Sequence, residues 1–577
     1  MKFHRILSIL WITVLLLASC GRQQTTCVRI VCTSDVHGNI FPYDFLTGDS
    51  VRGSLARVSS YLKEQRQSSA FGDNVVYLDC GDMILGSPAT YCYNTFAIGH
   101  RHIAAEALNY LQCDATVWGN NEIKTGGPTY QRYADDLNCP VLGGNIMFED
   151  SQEPFLPPYT IIEREGLQIA IIGLTTPVVP HMVPRNLWAG LEFTDMEHAA
   201  RRWMNHLHEH ASPDLIVGLF HSGYGGGIIT DDYIENATRA VAERVPGFDA
   251  IFYGHDHQAT ISKVVNVQGD TVLLLNPGKY ASNVAVLDAV VSKEGTLTLE
   301  ATLASTGNYD PDPDYLTVLA PHNDRVQQYI ERMIGTSSTA AEASDAFFGP
   351  SAFVDFMHQM QLDISGAKIS FAAPLVYDGV IPEGNVCVSD IYRLYPYENT
   401  LYVLWLTGQE IKDYLEMSYS MWINQMTSSD DHLLQFSFTE KDTPQLRYPY
   451  YYFDSAAGII YDVDVTRPAG KRVNIKRMAD GEPFCLDKRY MVAMNSYRAH
   501  GGGGLLAGAG VTREQLDERI DYTTTADLRF YMLSYIEMKK TISPKPLNHW
   551  KFVPERWTIP AAQRDRILLD EIFRIQE

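Results

Sequence analysis

Aspartate, histidine and asparagine side chains recur in this chain where short apolar runs end. The first such point is residues 33–39, Thr-Ser-Asp-Val-His-Gly-Asn, which follow the alternating apolar run at residues 28–32. That run is typical of a β-strand. Asp35 and His37 lie two residues apart, and in extended chain residues i and i+2 point to the same side. A carboxylate and an imidazole could therefore reach one metal ion from this strand end.

Four further segments repeat this arrangement in the first half of the chain. Each is an apolar run typical of a β-strand, followed by a polar side chain close to a glycine, which lets the backbone approach an ion. The runs cover residues 74–79, 115–118, 214–220 and 249–253, and the polar side chains that follow them are Asp82, Asn120, His221, His255 and His257. Segments with helical spacing of apolar residues, 53–67 and 103–112, lie between the earlier runs.

The set of side chains is more informative than any one of them. A single Asp-x-His or histidine is more often a loop or core residue than a ligand. Together the strand ends supply nitrogen and oxygen donors without a thiolate, which suits Zn, Mn, Fe or Co. The number of donors is about what two adjacent ions need when one carboxylate bridges them. We therefore expect two divalent metal ions as cofactors.

These five blocks, in this order, resemble the calcineurin-like metallophosphoesterases. The whole chain is similar to their two-domain branch, the 5′-nucleotidases and the 2′,3′-cyclic-nucleotide 2′-phosphodiesterase/3′-nucleotidases. The resemblance implies an α/β fold, with an N-terminal metallophosphoesterase β-sandwich flanked by helices and a linker helix leading to a C-terminal α/β nucleotide-binding domain. It also implies one ion held by Asp35, His37, Asp82 and His257, and a second held by Asp82, Asn120, His221 and His255.

The activity that this resemblance implies is hydrolysis of nucleotide phosphoesters by a hydroxide that bridges the two ions. Two details of the second half favour the cyclic phosphodiesterase/3′-nucleotidase branch. Residues 370–374 read Ser-Phe-Ala-Ala-Pro where the 5′-nucleotidases have an Asn-Gly-Gly-x-Arg-type segment, and Gly503 stands where they have an aspartate. A 5′-nucleotidase remains an alternative.

The third block departs from the family pattern. Where the family has Gly-Asn-His-Glu followed by an acid, this chain has Asn121 in place of the histidine and Lys124 in place of the acid. The family's histidine stabilises or protonates the leaving oxygen, and loss of a positioned general acid typically costs roughly 10²–10⁴-fold in rate. Three alternatives follow: Asn121 still donates to the phosphoryl oxygen, Lys124 takes over charge stabilisation, or the protein is a catalytically weak nucleotide-binding lipoprotein. We favour a retained but weakened phosphoesterase.

Aromatic residues mark the candidate substrate site in the second half. Tyr397 and Tyr497 lie in loops rich in Pro, Asn or Gly, at the positions where the family sandwiches the nucleobase between two rings. Such stacking contributes about 1–3 kcal/mol per base. Asn399, in the same loop as Tyr397, and Arg498, next to Tyr497, are further candidates for substrate contact, although a structural role for Arg498 is equally open.

Composition limits the partners. The chain has 577 residues and a formal net charge of −23, which argues against binding polymeric nucleic acid but not against a small nucleotide whose charge is met by metals. At the N-terminus, Lys2 and Arg5 precede an apolar run over residues 6–18, and Leu-Ala-Ser-Cys at 17–20 resembles a bacterial lipobox. We expect Cys20 to be lipidated and the protein to be lipid-anchored in the bacterial envelope, in the periplasm or at the outer-membrane surface, touching the membrane only through this anchor.

The expected domain division follows from these features. It comprises a lipoprotein signal peptide at 1–19, a tether at 20–27, the catalytic domain at 28–320, a linker helix at 321–344, the nucleotide-binding domain at 345–540 and an extension at 541–577. Apolar residues at 326, 330, 333 and 334 have the spacing of the linker helix. Eight cysteines remain besides Cys20, and one or two disulfides could form among them in an oxidising compartment.

Overall fold

The computed structural model describes residues 26–151, 153–292, 296–438, 444–512 and 515–576. The expected signal peptide and Cys20 lie outside the described residues. The chain divides into two compact units, Met1–Val326 and Gln327–Glu577. No helix among the described residues is both long and apolar enough to cross a bilayer.

The first unit is built on two six-stranded sheets. In spatial order, the strands of one sheet are Leu297–Ser305, Asn283–Val291, Thr26–Thr33, Val75–Asp79, Ala115–Val117 and Val141–Leu142. Those of the other are Thr260–Val265, Thr271–Asn276, Ala250–Tyr253, Leu215–His221, Leu167–Thr175 and Tyr159–Arg164. Alternate residues of both sheets, among them Val28, Leu78, Ile171 and Val217, form one buried core. The expected β-sandwich is confirmed.

Helices surround the two sheets. They are Leu55–Gln67, Pro88–Tyr91, Ile103–Tyr110, Asn120–Lys124, Gly127–Asp136, Val179–Met182, Met196–His210, Thr238–Arg244 and Pro313–Ile330. The helix Met196–His210 buries Trp203 and Leu207 in a second core together with residues such as Ile172 of the second sheet. Two short antiparallel pairs complete the unit: Ile146–Phe148 with Leu191–Phe193, and Gly226–Ile229 with Ile234–Asn236.

The second unit contains a five-stranded sheet and smaller sheets. The strands of the larger sheet are Ser455–Ala457, Ile369–Ala372, Arg489–Asn495, Thr400–Thr407 and Ile520–Asp527. Two three-stranded sheets comprise Val473–Met478, Ile459–Asp464 and Trp550–Val553, and Gly384–Cys387, Met333–Ser337 and Thr541–Ile542. Short pairs are Ala341–Glu342 with Val380–Ile381, and Phe436–Phe438 with Pro444–Leu446. The helices are Ala352–Ser365, Val388–Leu394, Gly408–Trp422, Ser496–Ala499, Leu505–Gly508, Leu516–Arg519, Leu528–Lys539 and Glu555–Gln576.

The expected linker helix is shorter and begins earlier than its apolar spacing indicates. The helix spans Pro313–Ile330, and Met333–Ser337 is a strand. That strand pairs with Gly384–Cys387 and with Thr541–Ile542, and a Cβ on Gly335 would lie 2.9 Å from the Lys540 carbonyl oxygen. Pairing with distant segments therefore overrides the local helical pattern at residues 333 and 334.

The C-terminal residues are part of the second unit's fold. Trp550–Val553 pairs in parallel with Ile459–Asp464, and Trp550 is 4% exposed. In the described part of the chain all eight cysteines are thiols, and the sulfur atoms of Cys32 and Cys80 lie 3.5 Å apart.

Candidate functional site

Parallel strand pairing brings the metal-ligand candidates to one edge of the sandwich. Thr26–Thr33 runs parallel to Val75–Asp79, and Leu215–His221 runs parallel to Ala250–Tyr253. Because parallel strands end at the same edge of a sheet, the loops that follow them lie side by side. The backbone N–H of Asp35 donates to the Gly81 carbonyl and that of His37 donates to Asp82, each at 3.0 Å.

Asp35, His37 and His257 form the first group of candidate ligands. One ligand atom from each lies within 4.8 Å of the others. The Nδ1 of His37 lies 2.9 Å from the Leu85 carbonyl oxygen, which can only accept, so Nδ1 carries the hydrogen and Nε2 presents a lone pair. That Nε2 faces the Nε2 of His257 at 3.1 Å.

Asp35, Asp82 and His221 form the second group, again within 4.8 Å. The Nδ1 of His221 lies 2.7 Å from the Cys80 carbonyl oxygen, so this ring also directs Nε2 into the site. Nε2 lies 3.4 Å from Asp82 Oδ1 and 3.2 Å from the side-chain oxygen of Asn120. Asp35 is the residue common to both groups and Asp82 belongs to the second, whereas the sequence-based prediction assigns the shared position to Asp82.

His255, the last of the predicted ligands, lies beside His221 and Asp35. Its ring centre lies 5.2 Å from that of His221, and its backbone N–H donates to Asp35 Oδ2 at 3.0 Å. Its Nε2 lies 3.0 Å from Oε1 of Glu235, a buried residue that the sequence analysis did not single out. The structure thus brings all seven predicted ligands to one edge of the sandwich.

The arrangement of donors and acceptors fits divalent cations. Asp35 Oδ1 is buried and accepts no hydrogen bond; the nearest imidazole nitrogens are those of His257 at 3.4 Å and His37 at 4.0 Å. The His221 Nε2 lone pair faces the Asn120 carbonyl oxygen. Acceptors that face one another in a buried site are stabilised when a proton or a metal ion lies between them. These carboxylate, imidazole and amide groups are suitable ligands for Zn, Mn, Fe or Co.

Charge coupling between these groups is reflected in their pKa values. Burial alone would lower the pKa of His221, but the neighbouring Asp82 carboxylate raises it to about 10. Burial alone would raise the pKa of Asp82, but His221 holds it well below its usual range. A proton or a metal ion at His221 therefore satisfies the same carboxylate, and metal binding must displace that proton.

The backbone of this site is strained. Five candidate ligands adopt positive φ angles: Asp35 and His37 at 49°, Asp82 at 56°, His255 at 76° and His257 at 60°. A residue with a side chain held in this region costs of order 1–3 kcal/mol, and such residues cluster at functional sites. Glycine would relieve the strain but would supply no ligand, so the presence of Asp and His at these positions points to their chemistry.

Two glycines allow the loops to approach the ligands. A Cβ on Gly119 would lie 2.1 Å from Asp82 Oδ1 and 2.7 Å from Cε1 of His221. A Cβ on Gly254 would lie 2.5 Å from Asp35 Oδ2. At these two positions the glycine noted in the sequence therefore leaves room for a candidate ligand side chain of a neighbouring loop.

The residues of the unusual third block lie on the short helix Asn120–Lys124. Asn121 is buried and donates to Asp82 twice, from its side-chain amide to Oδ2 at 2.6 Å and from its backbone to Oδ1 at 2.9 Å. Its side chain thus orients the Asp82 carboxylate. Lys124 is half-buried in the last turn of the helix.

Glu122 connects two of the ligand loops. Its fully buried carboxylate accepts hydrogen bonds from the backbone N–H groups of Asp82, Met83, Ile84 and Gly119 at 2.7–3.0 Å. Burial raises its pKa, and the charge of Asp82 adds to this effect. Glu122 was visible in the third block, but its role as a tie between loops depends on contacts about forty residues apart in sequence.

The second unit contains a cavity of about 270 Å³ that is lined by three tyrosines and three other residues. The lining residues are Leu375, Tyr397, Asn399, Tyr451, Asn495 and Tyr497. Tyr397 is 44% exposed and Tyr497 is 43% exposed. Three of the four predicted substrate residues therefore line one cavity. Tyr451 and Asn495 were not predicted; the aromatic-rich segment at 448–453 was the available signal for Tyr451.

Arg498 supports this cavity and does not line it. The side chain is 3% exposed, with Nε 3.0 Å and Nη2 2.8 Å from the two carboxylate oxygens of Asp454. It also donates to the Gly502 carbonyl at 3.0 Å and to the Tyr451 carbonyl. Of the two roles left open for Arg498, these contacts favour the structural one, because the guanidinium holds the segments that carry Tyr451 and Tyr497.

Comparison with known proteins agrees with this architecture. The chain is 24% identical over 589 residues to the trifunctional nucleotide phosphoesterase protein YfkN of Bacillus subtilis, covering 91% of this chain but 39% of that relative. It is 24% identical to the 2′,3′-cyclic-nucleotide 2′-phosphodiesterase/3′-nucleotidase of Haemophilus influenzae, covering 91% of this chain and 87% of the relative. The Salmonella typhimurium protein of the same name is 25% identical, with 93% and 91% covered.

Solved structures show the same fold. A Staphylococcus aureus protein solved with α-ketoglutarate superposes with a TM-score of 0.68 at 22% identity, covering 91% of this chain and all of that one. The Haemophilus influenzae NAD nucleotidase has a TM-score of 0.59 at 18% identity, with 92% and 99% covered.

Two family matches cover most of the chain in succession. Residues 28–259 match the calcineurin-like phosphoesterases, and residues 333–508 match the 5′-nucleotidase C-terminal domain. The first match contains every candidate metal ligand, and the second contains the tyrosine-lined cavity. The chain therefore combines a calcineurin-like phosphoesterase domain with a 5′-nucleotidase C-terminal domain.

Proposed function

We propose that this protein hydrolyses phosphoesters of small nucleotides, as a 2′,3′-cyclic-nucleotide 2′-phosphodiesterase/3′-nucleotidase. The observation that carries the proposal is the buried set of carboxylate, imidazole and amide acceptors that face one another at the sandwich edge. Relatives named for this activity cover about nine-tenths of the chain. A 5′-nucleotidase is the related alternative.

The ligand set would hold two divalent ions, Zn, Mn, Fe or Co. One ion is assigned to Asp35, His37, Asp82 and His257, and the other to Asp82, Asn120, His221 and His255. When bound, such ions polarise the phosphoryl group and acidify a water that serves as the nucleophile. The protein's contribution is to hold the ligands rigidly. His37 does so by donating a hydrogen bond from Nδ1 to the Leu85 carbonyl, and His221 by donating one from Nδ1 to the Cys80 carbonyl.

Leaving-group protonation is the weak point of this site. An amide does not give up a proton at neutral pH, and Asn121 is engaged with Asp82. Lys124, at the end of the same helix, is a cation that we assign to charge stabilisation. The enzyme is therefore proposed to be active but slower than one carrying the His-Asp pair, by up to roughly 10²–10⁴-fold for a poor leaving group.

The cavity of the second unit is the proposed nucleoside site. Tyr397 and Tyr497 present partly exposed rings on which a base can stack, which contributes about 1–3 kcal/mol. Tyr451 supplies a third ring, and the amides of Asn399 and Asn495 can pair with polar edges of the base.

The proposed location is the bacterial envelope, with Cys20 as the lipid attachment site and nucleotide catabolism as the role. The support is the lipobox-like order of residues 17–20 behind a basic and apolar leader. Metabolic labelling with a palmitate analogue tests it: wild type should incorporate label and Cys20→Ala should not. Equal labelling of both would refute the anchor.

A substrate panel tests the activity. Protein lacking residues 1–20 is stripped of metal, reloaded with Mn, Co or Zn, and assayed for phosphate release from 2′,3′-cyclic, 3′- and 5′-mononucleotides. We expect metal-dependent phosphate release that is highest for the cyclic and 3′-substrates. The His221→Ala variant should lose this activity, and the control variant His208→Ala, at an exposed position, should keep it. A preference for 5′-substrates would favour the alternative. Metal and nucleotide binding without turnover would identify a nucleotide-binding lipoprotein.

A further inference from the structure

Glu235 lies against the metal-ligand candidates without being one of them. It is 8% exposed and is the middle residue of the strand Ile234–Asn236, which pairs with Gly226–Ile229. Its Oε1 lies 3.0 Å from Nε2 of His255, and at neutral pH a carboxylate paired with an imidazole can only accept a hydrogen bond. Nε2 of His255 therefore carries the hydrogen, and Nδ1 is the nitrogen left to bind a cation.

His255 uses its ring nitrogens in the opposite way from His37 and His221. His37 and His221 each direct Nδ1 to a backbone carbonyl and Nε2 into the site. The backbone carbonyls of Leu85 and Cys80 belong to the loop that carries Asp82, so those two rings are set by the same segment. His255 is instead set by a side chain from a separate segment.

The contacts of Glu235 make it a rigid support. Its second oxygen, Oε2, accepts the backbone N–H of Ile228 at 2.7 Å. A Cβ on Gly227 would lie 2.5 Å from Oε2, so the chain packs closely around the carboxylate. The Glu235 carbonyl accepts hydrogen bonds from the hydroxyls of Ser222 at 2.8 Å and Thr176 at 2.9 Å.

These contacts link two ligands of the second ion. Ser222 follows His221 directly in the chain, and Glu235 contacts Ser222 through its backbone and His255 through its side chain. Ser222 also accepts the backbone N–H of Ala237 at 2.9 Å. Movement of Glu235 would therefore displace both His221 and His255, and His255 most directly.

We infer that Glu235 is the positioning residue of the second metal ion: it fixes the tautomer and orientation of His255 so that Nδ1 points to the cation, and so sets the affinity for that ion alone. The inference rests on the two-ion centre proposed above. Carboxylates that orient a ligating histidine typically change metal affinity by roughly 10–100-fold when removed.

Metal titration of Glu235→Gln tests the inference. An amide offers one acceptor oxygen, so it cannot serve both Ile228 and His255. We expect wild type to bind two Mn or Zn ions in competition with a chromophoric chelator, and the variant to lose roughly 10–100-fold in affinity for one ion while the other is unchanged. The Co-loaded variant should show an altered visible spectrum for one of two ions. Glu235→Asp, which withdraws the carboxylate by one methylene, should weaken the same ion.

A matched control and a double variant separate positioning from general effects. Asp232→Asn removes one negative charge from the exposed part of the same segment and should leave both affinities unchanged. If Glu235 acts through His255, Glu235→Gln should have no further effect in a His255→Ala background. Equal weakening of both ions, unchanged affinities in Glu235→Gln and Glu235→Asp, or additive effects with His255→Ala would overturn the inference. Failure of wild type to bind any divalent ion would instead refute the two-ion centre.

Discussion

Replacement of Gly119 by alanine should disable the site through a single methyl group. The backbone of Gly119, with φ −91° and ψ −177°, is extended and suits any residue, so the change introduces no backbone strain. The new Cβ would lie 2.1 Å from Asp82 Oδ1 and 2.7 Å from His221 Cε1, whereas ordinary contact begins at 3.4 Å. One of these groups must therefore move by more than an ångström.

Neither group can move cheaply. Asp82 is held by two hydrogen bonds from Asn121, at 2.6 and 2.9 Å, and His221 by the Cys80 carbonyl at 2.7 Å. A displacement of about 1 Å at a reacting centre typically costs about 10²-fold in rate, and overpacking of a buried site costs about 1–3 kcal/mol in stability. We expect a loss of this size in phosphate release from nucleotides, together with weaker binding of both ions.

The assay compares phosphate release at saturating metal with a chelator titration and thermal unfolding. Gly99→Ala is the matched control, because a Cβ there has no neighbour within 4 Å and no positive φ. The reasoning is refuted if Gly119→Ala keeps activity within about twofold of wild type and binds both ions normally. A displacement of about 1 Å in the site should lower the rate far more than that.

Three further predictions concern the leaving group, the base and the stability of the second unit. Combining Asn121→His with Lys124→Asp should raise kcat for nucleotide substrates by up to roughly 10²–10⁴-fold, but change p-nitrophenyl phosphate hydrolysis little, since that leaving group needs no proton. Tyr397→Ala and Tyr497→Ala should each weaken nucleotide binding by about 1–3 kcal/mol, seen as a higher KM in steady-state kinetics. Burial raises the pKa of Asp355 to about 6 from 3.8; its neutral form therefore contributes stability that is complete below pH 4 and is lost as the pH rises through 6. Asp355→Asn should thus stabilise the protein by about 3 kcal/mol above pH 7, measured by urea unfolding at several pH values.

Each of these predictions has a control and a contrary outcome. An equal gain on both kinds of ester would show that the double change does not act through the leaving group. Tyr522→Ala, which removes an exposed ring outside the cavity, should leave KM unchanged. Asp487→Asn, at an exposed position, should not change the pH dependence of stability; if it matches Asp355→Asn, burial of Asp355 is not the cause. The asparagine can still accept the Leu547 N–H, which Asp355 accepts at 2.7 Å, so loss of that bond should not mask the effect.

The local pattern of residues was sufficient to predict the strands and to place the candidate ligands near the strand ends. Apolar alternation at 28–32 and 214–220 corresponds to Thr26–Thr33 and Leu215–His221, because strand formation there agrees with burial in a sandwich core. The candidate ligands could be grouped from the sequence because each lies at the end of a strand or a few residues beyond it, and the ends of parallel strands lie at one edge. Family resemblance then indicated the pairing of ligands with ions and the two tyrosines.

Contacts between distant segments decided the rest. No local pattern shows that Glu235 meets His255, that Glu122 binds the loop of Asp82, or that Arg498 is held by Asp454 forty-four residues away. The helical spacing at residues 333 and 334 was misleading because sheet pairing outweighs a weak local preference. Burial and distance decide which side chains can bind a ligand and which ones position those side chains. Both are defined only once the chain has folded.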